Sequence, residues 1–193
     1  PHTFSALMCW AACDRLARIA MQLDHPDRAS VWNGHARTIR ARIEQDGWND
    51  EKRAYVSAFG GTEVDAALLL MHELSFCEAD DPRFLGTIAA VERELLRGDH
   101  VFRYVEADDF GTPHNAFNVC TFWYIDALAA VGRRDEARRL FENMLACRNQ
   151  AGLLSEDLNT ETNELWGNIP QTYSMVGLIV SALRLSKSWE EAF

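Results

Sequence analysis

Apolar residues recur along this chain at helical spacing, in two alternating styles. From Phe4 to about Leu23 a wide face carries Leu7, Met8, Ala11, Ala12, Leu16, Ile19, Ala20 and Leu23, and Ala6 to Cys13 is apolar nearly all round. The next run, about Ala29 to Gln45, has only a narrow stripe of Trp32, Ala36, Ile39 and Ile43 set against arginines. A third run, about Glu63 to Phe76, is apolar on every side through Ala66 to Met71. After Asp80-Asp81-Pro82 the stripe returns, as Phe84, Ile88, Val91 and Leu95 in a run to about Leu96. The alternation then repeats. Ala116 to Val131 is uniformly apolar, Asp135 to Cys147 is striped by Ala137, Leu140, Phe141, Met144 and Leu145, and Gln171 to Leu185 is apolar all round through Val176 to Val180. No segment has the period-two alternation of a strand.

A helix apolar on all sides has to be covered on all sides, whereas a striped one faces water along its other side. The order therefore predicts an all-α fold of about seven helices in two alternating layers, inner and outer. Links from inner to outer helices are short, around residues 25, 79 and 133, while those from outer to inner are long, 47–62, 97–115 and 148–168. If the inner helices run parallel, all three long loops meet at one end. That end would collect Trp48, Tyr55, Phe59, Tyr104, Phe110, Glu156 and Trp166. Loops held by a rigid scaffold are where function concentrates.

Composition narrows the possible partners. The chain has 193 residues, 48% of them hydrophobic, which is enough for one sizeable core. Its net charge is −10 and its basic residues form no block longer than a pair, so nucleic acid is not an expected partner. No apolar run approaches the ~18 residues of a membrane helix, so no membrane is expected either. The five cysteines are odd in number, lack a Cys-x-x-Cys, and read as buried thiols of a reducing, cytoplasmic compartment. Cys9 and Cys13 are four apart with no second pair of ligands near them, and the histidines show no metal-binding spacing. No metal and no cofactor is assigned. The chain starts at Pro1 and enters a helix almost at once, from which an upstream segment is expected.

Candidate chemistry gathers in the last long loop. There Gly152-Leu153-Leu154-Ser155-Glu156-Asp157 is followed by Glu164-Leu165-Trp166-Gly167-Asn168 and Pro170-Gln171-Thr172-Tyr173-Ser174, which leads into an apolar helix. A carboxylate between apolar residues and a Trp-bearing loop can be held in a pocket. Aromatic rings interspersed with carboxylates and amides suit sugars, which offer an apolar face for stacking and hydroxyls for hydrogen bonds. Acidic loops without a basic cluster argue against phosphorylated ligands.

These segments resemble glycoside hydrolase family 15, the glucoamylase, glucodextranase and bacterial trehalase group. The resemblance runs through Phe4-Ser5-Ala6-Leu7-Met8-Cys9-Trp10, Phe59-Gly60-Gly61 with Val64-Asp65-Ala66-Ala67-Leu68-Leu69, Arg103-Tyr104-x-Glu106, and Asn115 to Trp123. Its most specific parts are Leu154-Ser155-Glu156 and Trp166-Gly167-Asn168-x-Pro170-Gln171-x-Tyr173-Ser174. The resemblance implies that residues 1–193 are the C-terminal portion of a single twelve-helix (α/α)6 catalytic domain. It also implies inverting hydrolysis of α-glucosidic bonds in glucose oligosaccharides, with Glu156 as general base. The expected sugar-binding side chains are Trp166, Tyr173, Trp123 and Tyr104. In the family the general acid is a Glu after a Trp, in the loop before the helix that here begins at Phe4, so it is expected upstream of this chain. Asp65, Glu106, Asp108 and Asp109 are loop-side acids, but none matches the acid's motif.

An alternative is a non-catalytic helical-repeat scaffold, since Gly132 to Phe141 resembles a tetratricopeptide helix. The spacings drift, however, and do not hold the ~34-residue period of such repeats. On the enzyme reading, the chain alone should be inactive for want of its acid. The flanks of its incomplete ring, at Leu7, Met8, Trp10, Val176 and Ile179, should be exposed and meet either a second copy or the N-terminal half of the same protein.

Overall fold

The computed structural model describes residues 1–107, 109 and 111–186, so Asp108 and Phe110, named above, lie outside the described residues. Helix α1 (Thr3–Gln22) ends just before Asp24, whose φ of +58° turns the chain. Helix α2 (Pro26–Asp46) then starts with proline in its first turn, where the missing N–H costs nothing. Helix α3 (Pro82–Glu94) uses the same device, and the Asp81 carboxylate accepts from Arg83 N–H at 2.8 Å to cap it. Helices α4 (Asn118–Ala130) and α5 (Arg134–Ala146) are joined at Gly132, whose φ of +86° suits a residue without a Cβ. Helix α6 (Thr172–Ser186) is the last described element.

The second inner segment differs from expectation. In place of an α-helix over 63–76 there is a 3₁₀ helix, Ala66–Met71, followed by turns that end at Ser75 with φ +61°. Asp65 caps it through Ala67 N–H at 2.7 Å, and Ala66 N–H is taken by the carbonyl of Arg103. The segment is pinned at its start by a cap and a loop and bent at its end by a left-handed residue, which leaves room for only two tight turns.

Packing follows the two layers. The inner elements touch in the order α1, 66–71 helix, α4, α6, while α2 lies on α1, α3 on the 66–71 helix, and α5 on both α4 and α6. The core between them holds Leu7, Leu68, Met71, Phe84, Phe122, Ile125 and Leu128. At the C-terminal ends of the inner elements, buried Arg184 of α6 pairs with Asp126 of α4 at 2.6 Å and with Glu73 at 3.1 Å. Burial pushes the Asp126 carboxyl up while Arg184 and Ser181 pull it down.

The long loops all meet the N-terminal ends of the inner elements. Thr3 N–H bonds Ser57 O, Ala66 N–H bonds Arg103 O, and Asn118 N–H bonds Glu156 O, at 2.8, 2.9 and 3.0 Å. Two-residue strands stiffen them: β1 (Trp48–Asn49) with β2 (Ala54–Tyr55), β3 (Leu96–Arg97) with β4 (His100–Val101), and the antiparallel trio β5 (Ala116–Phe117), β6 (Asp157–Leu158) and β7 (Leu165–Trp166).

Two expectations about exposure need correction. Helix α6, apolar all round in sequence and so expected among the most covered elements, keeps an open apolar face of Tyr173, Val176, Ile179 and Leu183, each at least 49% exposed, although Val176 and Ile179 are open as expected of a flank. Among the described elements α4 and α5 pack most closely on its other side. On the other flank Met8 is exposed, together with Leu16, Ile19 and Leu23, but Leu7 and Trp10 are buried. Trp10 packs edge-on against Phe76 with ring centroids 5.0 Å apart, so it faces the core. The cysteines also divide: Cys77 and Cys120 are buried, Cys13 and Cys147 half-buried, and Cys9 exposed beside Met8 on the open side of α1. Among the described residues no helix is long and apolar enough to cross a membrane.

Candidate active site

The loop carrying Glu156 is built by polar residues that close its backbone on itself. Asn149 Oδ1 accepts from the N–H groups of Ala151 and Leu153, while Gly152 at φ +78° reverses the chain. Leu154 then plugs into the core, and its carbonyl accepts from Gln171 N–H at 3.1 Å. Past β6, Asn159 Oδ1 accepts from Glu161 and Thr162 N–H groups and closes the tip that leads back to β7.

This fold pins the backbone around Glu156 from two inner helices. The Ser155 carbonyl accepts from Asn118 Nδ2 of α4 at 2.9 Å and from Ser174 Oγ of α6 at 2.8 Å. The Glu156 carbonyl accepts from Asn118 N–H, and its own N–H donates to Asn168 O at 2.9 Å. The Glu156 side chain is half-buried, and its Oε2 accepts from Asn168 Nδ2 at 3.0 Å and Asn168 N–H at 3.3 Å. Gly167 arches over this carboxylate with φ +77°.

Successive strand residues point to opposite sides, so Asp157 turns away from Glu156 and shares a row with its cross-strand partners Phe117 and Trp166. Partial burial, and then the charge of Glu156, push the Asp157 carboxyl up to about 6. Trp166 is 52% exposed on β7, and Tyr173 is 66% exposed in the first turn of α6. Rings that open are free to stack on a ligand. Trp123, in the second turn of α4, is half-buried and packs on the core.

Tyr104 lies on the other side of the α4 N-terminus. It lines a cleft of about 380 Å³ between the starts of α1 and the 66–71 helix, with His2, Phe4, Glu63, Asp65, Arg103 and Glu106 among its walls. Arg103 approaches Asp65 at 3.6 Å. Burial raises the Asp65 carboxyl, opposed by Ala67 N–H and Arg103. Glu63 and Glu106 hydrogen-bond to each other: that bond lowers Glu63, whereas burial first and then the bond to Glu63 raise Glu106. Cys120, fully buried in the first turn of α4, feels both Asp65 and Asp157, so the cleft and the Glu156 loop flank one helix end.

The structure thus pairs Trp166 with Asp157 across β6 and β7, on the side away from Glu156, and places Tyr173 at the adjoining helix start. Tyr104 stands with the cleft acids. Sequence reasoning missed the grip of Asn118, Ser174 and Asn168 on the Glu156 segment, and it missed Glu63. Glu63 does stand directly before the Val64-Asp65 opening of an inner element, a position that could have marked it.

A two-layer helical ring segment with every long loop at one end, around a held carboxylate, is part of an (α/α)6 barrel. The chain belongs to glycosyl hydrolases family 15, whose family model matches residues 1–183. Relatives include the trehalase of Thermoplasma acidophilum, 33% identical over 193 residues, which span 100% of this chain and 32% of that protein. The trehalase of Mycobacterium tuberculosis is 32% identical over 193 residues, covering 98% of this chain and 28% of that one. The chain therefore spans about a third of the length of these relatives. Among solved structures, a glycosidase variant in complex with glucose superposes with a TM-score of 0.82 at 21% identity, over 96% of this chain and 52% of that one. A bacterial glucoamylase complexed with acarbose gives 0.79 at 16% identity, over 95% of this chain and 33% of that one. These two share the fold. The segment Gly132 to Phe141 is accordingly the α4–α5 turn of a barrel and not a tetratricopeptide repeat.

Proposed function

We propose that residues 1–193 form the C-terminal portion of a single (α/α)6 catalytic domain that hydrolyses α-glucosidic bonds with inversion, with Glu156 as the general base. The observation that carries this reading is the placement of the Glu156 carboxylate on the loop face, where Asn168 tethers it through both its amide and its backbone N–H. Inversion requires a base to activate water on one face of the sugar and an acid to protonate the leaving oxygen on the other, with the two carboxyls ~6.5–9.5 Å apart. Glu156 takes the first role, and a carboxylic acid from a segment outside this chain takes the second. Trp166 and Tyr173 offer apolar surface to the sugar, Tyr104 lines the neighbouring cleft, and Trp123 backs the site from α4.

Among α-linked glucose oligosaccharides, trehalose is the favoured substrate, in keeping with the trehalases at about 32% identity. The open faces of α1 and α6 are then where the remaining helices of the barrel seat. The test uses the intact protein on trehalose, maltose and isomaltose, with the anomer of the released glucose read by NMR. Glu156→Gln keeps the shape and removes the base, so kcat should fall by about 10²–10⁴ with little change in KM. Inversion of trehalose releases one β- and one α-glucose, so near-normal turnover by that variant, or release of α-glucose alone from trehalose, would overturn the assignment.

A further inference from the structure

The two oxygens of the Glu156 carboxylate are not equivalent. Oε2 accepts twice from Asn168, from the amide at 3.0 Å and the backbone N–H at 3.3 Å, while Oε1 takes no hydrogen bond among the described residues. The link is reciprocal, because the Glu156 N–H returns to Asn168 O at 2.9 Å. The neighbouring backbone is shaped around the same oxygen: a Cβ on Gly167 would lie 2.9 Å from both Oε2 and Cβ of Glu156, and φ there is +77°. Glycine is needed at 167 for conformation and for clearance alike.

We infer that Asn168 is a positioning residue that fixes Oε2 as the held oxygen of Glu156 and leaves Oε1 to receive the proton from the attacking water. This inference rests on the reading of Glu156 as base. In the step, a water O–H bond breaks and its proton goes to Oε1, while the water oxygen forms a bond to the anomeric carbon. The glycosidic C–O bond breaks with its electron pair going to the leaving oxygen, which takes a proton from the carboxylic acid on the opposite face.

One consequence separates positioning from simple loop closure. Losing the tether lets the carboxylate swing, and misplacement of about 1 Å can cost about a hundredfold in rate. The carboxylate acts on the attacking water in the transition state and not on the bound sugar, so the loss falls on kcat and leaves KM nearly unchanged.

The experiment compares wild type, Asn168→Ala, Asn168→Ser, Gly167→Ala and Glu156→Gln in the intact protein, with folding checked by circular dichroism and kcat and KM on trehalose measured separately. kcat should fall ten- to a hundredfold while KM changes little. Gly167→Ala keeps the amide but crowds Oε2, so it should lose kcat without removing the donor. Where Asn168→Ala does not fold, Asn168→Ser and Gly167→Ala carry the same readouts. Undiminished kcat in the folded 168 variants, or a loss that appears in KM and not in kcat, overturns the positioning role. If Glu156→Gln is itself active, the reading of Glu156 as base fails instead.

Discussion

Asp157 shows how one residue step along a strand separates two carboxylates that are adjacent in the chain. Glu156 is held by Asn168, whereas Asp157 sits half-buried in the row with Phe117 and Trp166, pushed up to about 6 by burial and by the charge of Glu156. A carboxyl whose pKa is higher in the folded chain than in the unfolded one binds more protons when folded. Its contribution to stability is therefore present below its unfolded value of 3.8 and is lost as pH rises to about 6. Asp157→Asn should remove that slope, making the variant more stable than wild type at pH 7 by about 1 kcal/mol once partial exposure is discounted. Urea midpoints at pH 4 and pH 7 check it: equal pH dependence in the two proteins would rule it out. At this scale the proposed base was legible as Leu154-Ser155-Glu156, through the family resemblance. Its clamp was not, because Asn118 of α4 lies far in sequence from Asn168 and Ser174, and the three meet around Glu156 only when α4 and α6 pack.

Among the elements, the contact between α4 and α6 sets the geometry of the site, since both helices hold the Ser155 carbonyl. Their closest approach is made at Gly177, where an added Cβ would meet Phe122 atoms at 2.7 and 2.9 Å. Phe122 is fully buried and has no room to yield. Alanine would gain up to about 1 kcal/mol of helix propensity over glycine. Overpacking a tight core typically costs about 1–3 kcal/mol, so the net effect of Gly177→Ala should be destabilising. Urea unfolding measures it, and a variant more stable than wild type would mean that the helices part easily. The helix boundaries themselves were readable to within a few residues from the 3.6 period, except at 66–71. That stretch reads as α-helix by apolar content, but the Asp65 cap, the bond to Arg103 and the turn at Ser75 confine it to a 3₁₀ segment.

At the scale of the whole molecule, the two inner helices at the edges of the segment each keep an apolar stripe open. Met8, Leu16, Ile19 and Leu23 line one, and Tyr173, Val176, Ile179 and Leu183 the other. Contiguous apolar surface of this kind drives association. The 193-residue chain produced alone should therefore run larger than a monomer in light scattering, and lysine at Ile19 and Ile179 should shift it toward the monomer without loss of helicity. It should also hydrolyse no α-glucoside, because the proton donor is proposed to lie outside it. A monodisperse and active monomer would contradict both expectations.

The order of apolar and striped helices determined the two layers, because covering an apolar helix on all sides is a local demand that every residue of the helix repeats. The same logic placed the long loops at one end and picked out Glu156 and Trp166. The incomplete ring put Met8, Val176 and Ile179 on open flanks, but that Leu7 and Trp10 are covered was decided only by the tertiary structure. It alone decided that Oε2 of Glu156 is held and Oε1 is not, and that Trp10 turns inward to Phe76. Each of these depends on distances between segments remote in sequence, and hydrophobic period carries no record of such distances.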